Sequence, residues 1–321
     1  MQSALLTLRQ WIRVLQSAIQ NGARFGSNFV ASCLAALGVG LCGAAFFIVR
    51  MASVFRRELR FRIRLDEGFS LTVDLQDALQ LYLFLFGTWE PSTTSLIKSL
   101  TKPGRCTVDV GAHIGYFSIL AASLGADVVA FEADPDMADR LLANISESGY
   151  SEIVRVVAAA VADDSRGRTL HRGPNHNRGL TSSNPKWNLK PSGPVPSISL
   201  SNALSASQLS QVQIVKIDVE GSEPEVIAGM GDSWRILPPD SVILIELSPK
   251  WWSIGKTVEE VLLPIREAGF EAWTIENSYS PFRLMRPKRV QTPKKLAGRL
   301  SNSARRYDLV FARSGTLQAN E

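Results

Sequence analysis

Cysteine and histidine are both scarce in this 321-residue chain. Three cysteines, Cys33, Cys42 and Cys106, are too few for a disulfide framework and have no metal-ligand spacing. Cys106 opens an expected buried strand, where a thiol serves as a small apolar filler. Neither sign of charge dominates, with 35 Lys or Arg against 30 Asp or Glu. A net +5 does not call for nucleic acid, although it suits a membrane surface or an anionic acceptor. No internal repeat is present. With 45 % of residues hydrophobic, a sizeable core is available and global disorder is excluded.

The most conspicuous run lies near the start. Phe25 to Val49 is 25 residues without a charge, long enough for a membrane span, which needs about 20. A signal peptide, whose apolar core is shorter, and a buried helix of a soluble protein are the competing readings. Arg9, Arg13 and Arg24 precede the run, and Arg50, Arg56, Arg57, Arg60, Arg62 and Arg64 follow it. That excess puts the C-terminal side, and with it the bulk of the chain, in the cytoplasm. Ala36, Gly40 and Ala44 form a small-residue face that could pair two spans in a homodimer. Upstream, Leu5, Leu8, Ile12, Leu15 and Ile19 keep helical spacing, as in a helix lying on a bilayer. The expected organisation is an amphipathic segment over 1–24 and a transmembrane helix over 25–50. A basic juxtamembrane segment over 51–69, a catalytic domain over 70–313 and a tail over 314–321 follow.

Beyond the basic stretch, "FRIRLDEGFSLTV" alternates like a hairpin. Strands and helices then take turns, with strands at Cys106–Val110, Asp127–Phe131, Ile153–Ala158, Ile214–Asp218, Ser241–Glu246, Glu271–Ile275 and Tyr307–Phe311. Helices are expected at Ile114–Leu124, Pro135–Ser148 (capped by Asp134), Glu223–Met230 and Thr257–Ala268. Such alternation predicts a doubly wound, mostly parallel seven-stranded sheet. Residues 171–197, rich in Gly, Pro, Asn and Ser, read as a long functional or disordered loop. Residues 281–306 carry nine Lys or Arg and no acid, and read as a solvated run or a surface for an anionic lipid or acceptor.

"VDVGAHIGYF", residues 108–117, joins a strand to a helix through glycines, and Glu132 ends the next strand. That is a nucleotide-binding unit, with Glu132 placed to accept from ribose hydroxyls. Asp109 decides which nucleotide. A carboxylate there repels the pyrophosphate of a dinucleotide but suits S-adenosylmethionine, which brings an ammonium and a sulfonium. The turn also lacks the G-x-G of an NAD-dependent oxidoreductase, the runner-up reading. The plainer role for Asp109 is to cap the turn.

In "IVKIDVEGSE", Lys216, Asp218 and Glu220 share one strand face and must pair with one another or face a polar cavity. A Lys216–Glu220 ion pair is expected, leaving Asp218 nearest the crevice. Glu246 ends the neighbouring strand and points into the same space. Asp218, Glu246 and His113 are the candidates for a general base. A divalent cation between Asp218 and Glu246 is compatible with the sequence but not required by it. His171, His176, Arg178, Trp251 and Trp252 fall on segments expected to rim the crevice, with surface charge or core packing as their plainer roles.

Taken together, "LFGTWEPSTTSLI", "VDVGAHIGYFSILAA", "VVAFEADPD", "VRVVAAAVAD", "NRGLTSS", "VKIDVEGSEPEVIAGM" and "VILIELSP" resemble the FkbM family of S-adenosylmethionine-dependent methyltransferases. Order and spacing agree over roughly residues 70–313. The resemblance implies a class I, Rossmann-like methyltransferase fold and methyl transfer to oxygen on a sugar, glycan (free or lipid-linked) or secondary metabolite. It implies that Asp109, Gly111, Ala112 and Gly115 line the methionine side of the donor. Glu132 takes the ribose, Asp163 approaches the adenine, and Asp218 and Glu246 lie beneath the methyl group. His113 stands where the family usually has Asn, Ala133 where it has Pro, and Leu200, Ser201 and Asn202 where "LDD" is usual. A non-catalytic binding module of the same fold is disfavoured by the intact acids at 109, 132, 218 and 246.

Overall fold

The computed structural model describes residues 2–22, 28–54, 59–174, 176–185, 189–252, 255–285 and 290–317. The chain divides into two units: residues 1–94, 175–177 and 277–290 form one, and residues 95–174, 178–276 and 291–321 the other.

The first unit holds α1 (Gln2–Gly22), α2 (Asn28–Val54), the hairpin of β1 (Arg60–Arg64) with β2 (Ser70–Asp74), and α3 (Ala78–Phe86). The stripe expected to lie on a bilayer instead faces the unit's interior, where Leu5, Ile12, Leu15 and Ile19 are buried. The reason lies partly in two arginines on the same helix. Arg9 Nε donates to the carbonyl of Phe84 at 2.7 Å, and Arg13 donates to that of Phe86 and pairs with Asp66. These carbonyls belong to the last turn of α3, where no helical N–H is left to satisfy them. α2 likewise gives one side to packing. Ala35, Cys42, Ala45 and Val49 are buried, and a Cβ on Gly38 would stand 2.3 Å from Met285 Cε. Among the described residues no helix is long and apolar enough to cross a membrane, so the single pass expected over 25–50 lacks support. Residues 23–27 and 55–58, which include Arg24, Arg56 and Arg57 of the orientation argument, lie outside the described residues.

The chain leaves the first unit within α4 (Pro91–Leu100). The second unit opens with β3 (Cys106–Val110), α5 (Tyr116–Ser123), β4 (Asp127–Phe131), α6 (Pro135–Ser148) and β5 (Val154–Val157). The short strands β6 (Ala160–Val161) and β9 (Ser197–Ile198) pair with each other, and between them lie β7 (Arg168–Arg172) and β8 (Lys190–Val195). Next come α7 (Leu200–Ala203), α8 (Ala206–Leu209), β10 (Val212–Ile217), α9 (Glu223–Met230), α10 (Ser233–Ile236) and β11 (Val242–Leu247). The rest is α11 (Val258–Glu267), β12 (Glu271–Thr274), α12 (Pro281–Met285, in the first unit), β13 (Lys294–Lys295) and β14 (Tyr307–Ala312).

The central sheet runs β13-β12-β14-β11-β10-β3-β4-β5. β5, β4, β3, β10 and β11 are mutually parallel, and β14 is antiparallel to both β11 and β12. The strand order reverses between β3 and β10, which places the ligand crevice of such a sheet at their carboxyl ends. β3 and β10 are buried at every position, as near-continuous apolar strands covered on both faces must be.

Two expectations are corrected here. The sheet has eight strands, not seven. The eighth is the dilysine β13 on the edge, whose composition hides it because lysine is what edge strands favour. The expected loop over 171–197 is strand at its ends, where β7 pairs antiparallel to β8, and irregular in the described residues between them. Pro191, Gly193 and Pro194 of β8 made it read as irregular, but proline is tolerated in a strand on its unpaired side.

Candidate functional site

The crevice is lined by three turns that leave β3, β4 and β10. At the end of β3, the N–H groups of Gly111 and Ala112 both donate to the carbonyl of Phe131, at 3.0 and 2.9 Å, tying this turn to the end of β4. Asp218 N donates to Val110 O at 2.9 Å, tying it to β10. The backbones approach so closely that a Cβ on Gly111 would stand 1.9 Å from Asp218 O, and Gly111 has φ +84°. Only glycine fits. Gly115, also at positive φ, is the N-cap of α5.

Asp109 is 1 % exposed. Its Oδ2 accepts from Ser118 Oγ at 2.6 Å, while Oδ1 has no hydrogen-bond partner. Burial pushes its carboxyl above the usual range, opposed by Lys216, its neighbour across the ladder. A half-satisfied buried carboxylate is costly unless something cationic completes it.

Glu132 sits where the sequence places it. Its Oε2 accepts from His113 N and its Oε1 from Asp134 N, both at 2.8 Å. Burial nevertheless pushes its carboxyl up to about 7, against these two donors. His113 has φ +53°, a left-handed conformation that asparagine adopts more readily than most residues. The histidine at this position therefore serves Glu132 through its backbone. Asp163 is exposed and pairs with Arg168 at 3.0 Å.

The acids beyond β10 converge. Asp218, Glu220 and Glu246 each have a carboxylate oxygen within 4.8 Å of the others, a spacing that would also suit a divalent cation. Lys216 Nζ reaches Asp218 Oδ2 at 2.9 Å, with the ammonium 4.6 Å from the Phe117 ring centroid, and its charge also acts on Glu220. The period-two argument stops short because β10 ends at Ile217 and Glu220 turns to φ +49°. Glu246 is paired with Arg306 at 3.4 Å, and Arg306 also holds Asp308 at 2.7 Å. Glu220 is pushed up to about 8, by burial first and then by the charges of Asp218 and Glu223.

A strap from the polar segment braces this turn. Ser182 Oγ donates to Glu220 O at 2.7 Å, Ser183 and Ser222 share a 2.6 Å hydroxyl contact, and Asn184 Nδ2 donates to Gly221 O at 3.2 Å. Arg178 lies 3.6 Å from Asp134, and Arg172 donates to the same carboxylate at 2.7 Å. Trp252 is buried, its indole N–H donating to Glu223 Oε2 at 2.6 Å, while Trp251 is half-buried. Burial pushes Glu223 up to about 7. His171 lies on β7, bridged to Ser182, whereas His176 belongs to the first unit.

Glu220 as more than an ion-pair partner, Arg306, and the Glu223–Trp252 contact were not anticipated. The doublet of acids around Gly221 was a signal for the first. Nothing local marks Arg306 out from the basic run around it.

The profile described as "Methyltransferase FkbM domain" matches residues 109–272, just over half of the chain. A protein-L-isoaspartate O-methyltransferase from Aeropyrum pernix is 38 % identical over 88 residues, which cover 26 % of this chain and 32 % of that protein. The chain thus spans about a third of the length of this curated relative. Among solved structures, a precorrin-6y C5,15-methyltransferase from Geobacter metallireducens is 14 % identical, with 69 % of this chain and 87 % of that one covered, at a TM-score of 0.38. A SAM-dependent methyltransferase from Agrobacterium tumefaciens is 12 % identical, covering 78 % and 69 %, at 0.41.

Proposed function

Because the chain belongs to the FkbM methyltransferase domain family, we propose that it transfers a methyl group from S-adenosylmethionine to a hydroxyl oxygen, on a sugar, glycan or secondary metabolite. The observation that carries this reading is Asp109, a buried carboxylate with one oxygen left without a partner beside a glycine turn that admits no Cβ. These residues fit a cationic donor and are unsuited to a pyrophosphate. When bound, S-adenosylmethionine supplies an electrophilic methyl on its sulfonium.

Asp109, with the backbone of Gly111, Ala112 and Gly115, holds the methionine end. Glu132, already oriented by the N–H groups of His113 and Asp134, accepts from the ribose hydroxyls. Asp163 is assigned to the adenine side. Asp218 and Glu246 are each paired with a cation, Lys216 and Arg306. Glu220, whose carboxyl is pushed up to about 8, takes the hydroxyl proton as the acceptor oxygen gains its methyl. A divalent cation held by the three carboxylates is a second reading, supported by their mutual spacing. Exhaustive chelation separates the two, because proton transfer to Glu220 survives it.

The test is calorimetric titration of the full chain with S-adenosylhomocysteine, followed by a screen of hydroxyl acceptors for methyl uptake. Micromolar binding lost in Glu132→Ala supports the donor site. A folded chain that binds nothing, or that binds NAD instead, overturns the reading.

A further inference from the structure

The exposed sides of α1 and α2 are nearly uncharged and carry large apolar side chains, interleaved on α1 with Ser3, Gln10 and Ser17. On α1, Ala4, Thr7, Trp11, Val14 and Ala18 recur every three or four residues along the exposed side, next to exposed Leu6. Trp11 is 58 % exposed. The helix has two charges, Arg9 and Arg13, and both are turned inward to the end of α3. On α2, Leu37, Gly40, Ala44, Phe47 and Met51 make a matching stripe, with Phe47 67 % exposed. Among the described residues, the exposed sides of both helices together hold one charge, Arg50. Ordinary surfaces are about a quarter to a third charged, and large uncharged apolar patches mark contact sites.

One strand face bordering this patch carries three arginines. Arg9 Nη2 donates to the carbonyl of Arg64 at 3.2 Å, which places the end of β1 beside α1. β1 exposes Arg60, Arg62 and Arg64 on one side, while the acids of the hairpin are Asp74, opposite Arg60, and the turn residues Asp66, paired with Arg13, and Glu67, which accepts from Thr88.

We propose that the exposed sides of α1 and α2 form a peripheral seat for an anionic lipid bilayer, with Trp11, Leu37 and Phe47 entering the headgroup layer and the arginines of β1 meeting lipid phosphates. The pattern is that of an interfacial surface, with apolar bulk in the middle and guanidinium groups at the edge. It is not a span, because the inner sides of both helices stay in the protein core. A second copy of the chain fits less well. The outward small residues Ala36, Gly40 and Ala44 are interrupted by Leu37, Phe47 and Met51, and a twofold would set the basic border against itself. The seat rests on the first unit alone and stands apart from the donor reading.

The test is flotation of the full-length chain with vesicles of phosphatidylcholine, with and without phosphatidylglycerol. Binding is expected to the mixed vesicles, with roughly a fivefold loss of partition for each of Arg60, Arg62 and Arg64 replaced by glutamine. Trp11→Glu with Phe47→Glu is expected to lower partition by about tenfold or more. Both side chains are exposed, so melting is expected to match the parent chain; Trp11→Gln with Leu37→Gln serves if the first pair disturbs folding. Three results overturn the seat. They are flotation that is absent or indifferent to these variants, retention in the bilayer through an alkaline carbonate wash, and sedimentation as a dimer that the same variants dissociate without vesicle binding.

Discussion

A Cβ on Gly111 would stand 1.9 Å from the carbonyl oxygen of Asp218. The glycine turn after β3 and the turn that carries the acids are therefore one packed object. Gly111→Ala must push them apart while forcing alanine to φ +84°. The expected cost is about 2–4 kcal/mol in urea unfolding, together with loss of S-adenosylhomocysteine binding. A variant as stable as the parent would remove the close-approach argument.

Asp109→Asn separates binding from folding. The amide oxygen can still accept from Ser118, and a buried charge has gone, so melting is expected to stay level or rise. Affinity for S-adenosylhomocysteine is expected to fall about tenfold or more, because its ammonium loses a carboxylate partner. Calorimetry and melting on the same sample check both directions. Parallel losses in the two would mean that Asp109 is structural.

Three carboxyls, Glu132, Glu220 and Glu223, hold their protons to about 7, 8 and 7, against a usual value near 4.5. Between the usual value and these, the folded chain binds more protons than the unfolded one, so stability falls as pH rises through that window. Melting temperature is expected to drop steadily from pH 5 to about 8.5. Methyl transfer moves the other way, rising toward a plateau above about 8 as Glu220 ionises. In Glu220→Gln the rate should collapse and its pH dependence flatten. A rate profile unchanged by that substitution would take the base role from Glu220.

Trp252→Phe removes the indole N–H that Glu223 accepts at 2.6 Å in a buried setting. The loss is expected to cost about 1–3 kcal/mol, because a carboxyl is left short of a donor. It should also loosen the 218–223 turn, which raises the acceptor KM while leaving affinity for S-adenosylhomocysteine nearly intact. Denaturation and steady-state kinetics together distinguish this from a simple loss of packing.

What could be read from the sequence follows the range over which each rule acts. α6 runs from Pro135 to Ser148 as expected, since Asp134 accepts from Asp136 N and Gly149 ends the helix in the left-handed region. Its signals are all within one turn of its ends. The glycine turn after β3 was legible for the same reason, with Asp109, Gly111 and Glu132 on short, strongly patterned stretches. The β7–β8 hairpin was not, because prolines and a glycine in an edge strand look like loop. Arg306 was beyond reach. It meets Glu246 across 60 positions of chain, and only because β14 enters the sheet antiparallel beside β11. The inward turn of the α1 stripe was hidden too, since an amphipathic pattern says which side is apolar but not whether protein or lipid covers it.

The position of β14 bears on the order in which the molecule is made. It lies between β11 and β12, so the last strand of the sheet is an interior one. As the chain leaves the ribosome, β12 has emerged with neither of its sheet neighbours, β13 and β14, yet synthesised. Until Tyr307–Ala312 arrives, two strand edges face an open slot and Glu246 lacks the guanidinium of Arg306. Closure of the sheet and completion of the acid cluster are therefore one late event. A nascent chain held just short of it should be the species that chaperones and proteases find.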